Sequence, residues 1–355
     1  MKNKIYIIFL FAILLLSVIL VVINYNYKND YSIKKGVVIK TYDNIDYTAP
    51  IKIGFQIVYV NVSGNIIKFN NVLRGNFLLD NYFKKGDHVV VVYKDNTPIY
   101  LAYDRVFWII MFSILFLGLL FLIGGFNGFK TVLSLIFTVV VIYYILLPNI
   151  ANGTPPITLT IIIILLIVFI SYFILCGFNK KAICSALGAI FGVVISGIVG
   201  YIGINLMNLP PGGFSEFVEM ILFSGHYLDF YGVFISSILL ASLGAIMDVS
   251  IDISSGLYEL KRHKPDISFK EMFKSGMNIG RDIMGTMANT LILVYVGSLM
   301  APILYFIIKN TPMEIIFSYN IIASEVLASL AGSIGVVMTV PITVILASYL
   351  YTKVE

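Results

Sequence analysis

Hydrophobic and polar positions fall into two regimes along the chain. Eight stretches are almost wholly apolar: residues 5–23, 106–124, 131–147, 157–175, 182–206, 230–247, 287–308 and 319–350. Each reaches the roughly 17–25 residues that a helix needs to span a bilayer. The last is longer than one straight span, so it is expected to tilt, to kink near Pro341 or to break at the AGSIG string around Ser333. A break there would make nine spans.

Residues 24–104 follow the other regime. The segments GVVIKTYD, IGFQIVYVNV, GNIIKFNNVL and GDHVVVVYKD alternate or cluster β-branched and aromatic residues, which predicts strands. Gly64-Asn65 and Gly86-Asp87 mark turns between them. A small β-barrel or sandwich is expected, with an OB-like barrel as its form. The predicted fold class is therefore an α-helical polytopic membrane protein with about eight transmembrane helices and a small extracytoplasmic β-rich domain. Its parts are an N-terminal anchor at 1–23, the β-rich domain at 24–104 and a multi-helix domain at 105–355. The last carries a cytoplasmic loop at 252–280.

Charge orients this arrangement. Lys2 and Lys4 precede the first apolar run, and no small-residue cleavage site follows it, so an uncleaved anchor is expected. Loops 126–130, 179–181 and 259–274 carry the positive charge. Loops 149–156, 207–229 and 309–318 hold one Lys, no Arg, and Glu216, Glu219, Asp229 and Glu314. The positive-inside rule then places both termini in the cytoplasm and residues 24–104 outside.

Composition agrees. The chain is 59% hydrophobic and 12% charged. Soluble domains carry about a quarter charged residues. The net charge of +5 sits in loops beside helix ends and is no nucleic-acid footprint. The partners expected are the lipid bilayer and either a second copy or a paralogous membrane subunit. Cys176 and Cys184 form no CxxC or Cys/His cluster, so no cofactor is expected, and a metal is left unassigned. No HExxH, G-x-S-x-G or P-loop occurs, which points away from an enzyme.

Polar residues inside the apolar segments are the candidates for chemistry, because such positions are costly in a membrane. Ser237, Ala241, Gly244, Asp248, Asp252, Ser255 and Glu259 recur every three or four residues and share one helical face. After His263-Lys264-Pro265, the S-x-x-E pattern from Ser268 to Glu271 predicts a capped interfacial helix ending at Gly276. Beyond it, Asn278, Asp282, Gly285 and Asn289 share a second face, with Arg281 beside them. Both ends of this hairpin reach one membrane depth, so Asp248, Asp252, Arg281 and Asp282 are expected to converge. Two outcomes fit: an ion or substrate site, or a structural lock such as Asp248 with Arg281. A third is plain solvation at the interface. Glu325 lies within the last span as a relay group or as a hydrogen-bonded structural glutamate. Gly188, Gly192, Ser196 and Gly200 form a small-residue ridge that lets a helix approach closely.

GAIMDV and SGMNIGRDIMGTMANTLILVYVG, with GGFNGFKTVLSLIFTVVVIYYILLPNIANG and GFNKKAICSALGAIFGV upstream, resemble the YibE/F-like family of bacterial multispanning membrane proteins. The resemblance implies a membrane protein of transporter-component type. It places emphasis on Asp248, Glu259, Arg281, Asp282, Thr286 and Asn289. Asp252 departs from the family's pattern, which has a small polar residue there. The expected function is transport of an ion or small solute, with Asp248, Asp252, Arg281, Asp282, Asn289 and Glu325 as its residues. The alternative is a membrane scaffold whose β-domain binds a partner.

Overall fold

A computed structural model describes residues 13, 15–17, 19, 31–46, 51–76, 80–210, 216–225 and 228–353. The anchor segment at 5–23 lies largely outside them, as does His226. The chain divides into two compact units. One is Ile23–Gly124, and the other joins Met1–Val22 with Gly125–Glu355.

The first unit is built on a five-stranded antiparallel sheet: β1 Tyr31–Asp46, β2 Ile53–Val62, β3 Asn65–Arg74, β4 His88–Lys94 and β5 Thr97–Tyr103. Their order is β3-β2-β1-β4-β5. The long β1 pairs with β4 through Val37 and with β2 from Val37 onward, so the sheet curls around it. Gly36 sits at this crossover, where an added Cβ would stand 2.7 Å from Asn61 O. The edge strands β3 and β5 come into contact, so the curl approaches closure. Alternation puts Val58, Val60, Val62, Val89 and Val91 inside with Val38, Phe83 and Leu101. Gln56 is the polar exception, buried and fully bonded. It donates to Asp43 Oδ1 and Phe83 O, each at 2.8 Å, and accepts from Phe83 N at 3.0 Å. These bonds pin the segment before β4.

The helices are α1 Val106–Ala151, α2 Pro156–Cys176, α3 Lys180–Leu206, α4 Glu216–Phe223, α5 Phe230–His263, α6 Phe269–Ser298, α7 Met300–Ile308, α8 Met313–Ser318 and α9 Asn320–Lys353. At 46 residues, α1 would run about 69 Å, more than twice the hydrocarbon thickness. Gly125 breaks it, with φ 52° and ψ −131°, and the two compact units divide there. Among the described residues five helices are long and apolar enough to cross a membrane. A sixth is added if α6 and α7, bent by 56°, make one span.

Helix α9 is the hub of the second unit and packs on α3, α5 and α6. Small residues permit it. A Cβ at Gly188 would collide with Thr343 Oγ1, and one at Gly192 with Thr339 Oγ1. Ser196 meets Gly335 from the same ridge. Gly188, Gly192 and Ser196 of the ridge read in the sequence thus form the α3–α9 seam, while Gly200 meets Ile238 of α5.

Three expectations are corrected. The last apolar segment does not break at Ser333 but is one helix, with Pro341 inside it. The segment 252–280 is not a loop, because only the residues between His263 and Phe269 leave the helices α5 and α6. The capped helix does not end at Gly276. It runs on to Ser298, because Gly276 and Gly280 bring Val344 and Val340 of α9 against its backbone. A glycine that reads as a stop locally is here a contact surface.

Candidate functional site

The rotation of α5 is fixed on its buried side. Ile246, Val249, Ile253 and Leu257 fill the core. Two tyrosines add directional bonds. Tyr172 of α2 donates to Met247 O at 2.9 Å and lies 2.5 Å from Ser250 Oγ. Tyr351 of α9 lies 2.7 Å from Ser254 Oγ, which also reaches Lys181 O at 3.2 Å. Sequence reading missed this set. Ser250 and Ser254, four residues apart on the face opposite the acids, were the available signal.

That anchoring turns the acidic face outward. Ser237, Ala241, Gly244, Asp248, Asp252 and Glu259 are all exposed, with Ser255 half-buried among them. A Cβ on Gly244 would meet nothing within 4 Å. The stripe is small and open along the helix and acidic toward its end. Glu259 is held by Arg262 at 3.1 Å.

Helix α6 runs antiparallel to α5. A Cβ at Gly280 would lie 3.4 Å from Ile253 Cδ1, and one at Gly256 3.2 Å from Ile279 Cδ1. These contacts set Arg281 and Asp252 at one level. The capping box at Ser268 and Glu271 opens α6. Lys264 reinforces it with a 3.0 Å ion pair to Glu271. Met272, Gly276, Gly280 and Leu291 form the buried face of α6. Asn278, Arg281, Asp282, Gly285, Thr286 and Asn289 are exposed, and Gly285 also faces open space.

The two polar faces therefore share a depth. Among the described residues no hydrogen bond or ion pair joins Asp248, Asp252, Arg281 and Asp282. Asp248 and Asp252 repel each other along α5, and the cation whose field reaches Asp252 is Lys181 of α3. Glu325 is apart from this group. Gly332 meets Ser242 and Gly335 meets Ile246, so α5 and α9 run parallel. Glu325 then lies about 18 Å along the axis from the level of Asp248, at 1.5 Å per residue. It is half-buried, and Tyr295 of α6 is within its field.

Ser333 lies inside α9, buried, with a hydroxyl that has no partner among the described residues. Among the described residues no three of His, Cys, Asp and Glu gather as a metal-holding group. The arrangement offers carboxylates and amides on an exposed face of the helix pair. This can bind or pass a cation, but it holds no nucleophile with a base beside it.

No curated protein and no solved structure matches the chain. A family model does, that of the YibE/F-like proteins, over residues 112–353. The match starts within α1, leaves the sheet outside it and takes in every polar residue of the α5–α6 hairpin. The chain belongs to the YibE/F-like family.

Proposed function

We propose that the protein is a transporter or permease component that moves a cation or a small cationic solute along the outward polar faces of α5 and α6. One observation carries the reading: among the described residues Asp248 and Asp252 of α5 have no counter-charge in contact, whereas Glu259 beyond them is paired with Arg262. Carboxylates at membrane depth cost about 2.5–3.5 kcal/mol each on insertion scales unless something compensates them. A cation does so for Asp248, Asp252 and Asp282. Gly244, Gly285, Thr286 and Asn289 supply room and neutral oxygens on the same faces, and Arg281 at that depth competes with the cation and gates it. In proteoliposomes, Asp282→Asn should lower flux at least tenfold, and equal flux of every ion tested would sink the assignment.

The topology proposed with this reading has eight spans, counting α1 as two and residues 5–23 as an anchor. Both termini face the cytoplasm of a bacterial cell, and residues 24–104 form an OB-like extracytoplasmic domain. The strand order β3-β2-β1-β4-β5 with β3 against β5 supports that barrel form. Cysteines placed at Lys264 and Asn65 should label from opposite sides of the membrane, and same-side labelling overturns the orientation.

The second reading, a scaffold whose β-domain binds a partner, draws on the apolar outer face of the sheet. Deleting 24–104 separates the two. Flux that survives the deletion supports transport. Loss of all activity, with silent hairpin variants, supports the scaffold.

A further inference from the structure

The sheet has a face that its own unit leaves bare. Residues directly opposed on neighbouring strands point to the same side. Lys40, Tyr59 and Lys68 are so opposed across β1, β2 and β3. The next rows are Tyr42 with Ile57 and Asn70, then Asn44 with Phe55 and Val72. Gln56, Val58 and Val60, which alternate with them, are buried, so these rows face outward. Phe55 is 43% exposed, Tyr42 49% and Val72 55%. The result is an aromatic and aliphatic strip bordered by two lysines. Lys40 Nζ stands 4.4 Å from the Tyr42 ring, and the Tyr42 and Tyr59 rings meet edge to face at 5.9 Å. No carboxylate lies in these rows. The next row on this face is Asp46 with Ile53 and Arg74, so its one carboxylate shares a row with the Arg74 guanidinium. Asp43, in the alternate register, is bound by Gln56 and Tyr82.

The sheet is also tethered. β5 ends at Tyr103 and α1 begins at Val106, whose first turn carries exposed Phe107 and Trp108. Three residue steps reach about 10 Å at most. The end of β5 therefore stays within that distance of the start of the apolar helix, and the sheet is held beside it.

We infer that the Lys40–Tyr59–Lys68 face docks on the anionic headgroup layer of the bilayer that α1 crosses. Tyrosine and phenylalanine sit at the headgroup boundary, where one end of the ring is apolar and the other wet. Lysine stems lie along apolar surface while their ammonium groups reach lipid phosphate. The charge of the face complements an anionic surface, and its tether supplies one at high local concentration. This inference does not rest on the transport reading, and it holds on either side of the membrane.

The test uses the full chain in nanodiscs. Trp108 is the sole tryptophan. Trp108→Phe with Phe55→Trp therefore makes a single-tryptophan reporter on the face. Nitroxide-headgroup lipid should quench it in discs containing phosphatidylglycerol, and several-fold less in pure phosphatidylcholine discs. K40E/K68E should abolish the difference, and Trp108 in the parent chain should stay quenched throughout. All the altered side chains of the face are at the surface, so the fold is not at stake. Equal quenching in both lipids, or quenching that survives K40E/K68E, overturns the anionic-headgroup assignment. A blue-shifted, unquenched tryptophan overturns it too, and marks a protein partner or a second copy on the face.

Discussion

Two glycines of similar sequence context should respond oppositely to one methyl group. A Cβ on Gly192 would collide with Thr339 Oγ1 and stand 3.0 Å from Ile246 Cγ2 and 3.2 Å from Gly335 O. Backbone cannot yield cheaply there, so Gly192→Ala forces α3 and α9 apart. Overpacking a filled interior costs about 1–3 kcal/mol. The intrinsic gain of Ala over Gly within a helix, about 0.5–1 kcal/mol, offsets part of it. The net expectation is a loss of about 1–2 kcal/mol. At Gly244 the same methyl meets nothing within 4 Å, so only the propensity gain remains. The two variants should differ by about 2 kcal/mol, roughly thirtyfold in the unfolding equilibrium. Thr339 donates to Gly335 O at 2.7 Å. A hydrogen bond between membrane helices averages about 0.6 kcal/mol, and this one, back onto its own helix, is worth no more. Thr339→Ala on the Gly192→Ala background should thus cost less than it restores, with a coupling of about 1 kcal/mol. Steric-trap unfolding in micelles measures all four proteins. Equal stability of Gly192→Ala and Gly244→Ala, or no rescue by Thr339→Ala, would refute the seam.

Tyr172→Phe removes the hydroxyl that bonds Met247 O and Ser250, and should cost about 1–3 kcal/mol. It should also raise cysteine reactivity at position 249, since α5 then rotates more freely; unchanged reactivity would contradict the anchoring. Gln56→Leu strips the buried amide from Phe83 and Asp43, so proteolysis between residues 80 and 87 of the full chain should accelerate tenfold or more. The Asp104 carboxyl is held below its usual range, first by its bond from Lys35 and then by Lys35's charge and the Val106 N–H. Its contribution is therefore complete above the ordinary aspartate value near pH 4 and fades as pH falls through the lowered value. Lys35→Met should erase that acid-side step in the sheet's unfolding curve, and an unchanged step would assign it to another group.

Local pattern carried much of the fold. β2, β3, β4 and the middle of β1 were legible because alternation is a property of neighbouring residues. β5 was not, because Pro98 lacks the N–H that a ladder uses and so argues against a strand. The helical face of Asp248 and Asp252 followed from spacing alone, and its exposure agrees with the pattern. What spacing cannot encode is the partner across a seam. Gly276 and Gly280 look like breaks until Val344 and Val340 are seen against them. Likewise, equal depth is readable from a hairpin, but actual approach is not. Asp252 and Arg281 share a level without touching, and Glu325 belongs to another level altogether.

The most direct measurement of the central claim is cation flux in proteoliposomes of wild type, Asp248→Asn and Gly244→Ala at matched protein density. Flux reduced at least tenfold in Asp248→Asn, with Gly244→Ala unimpaired in stability, is the predicted result. Wild-type flux in Asp248→Asn would contradict it.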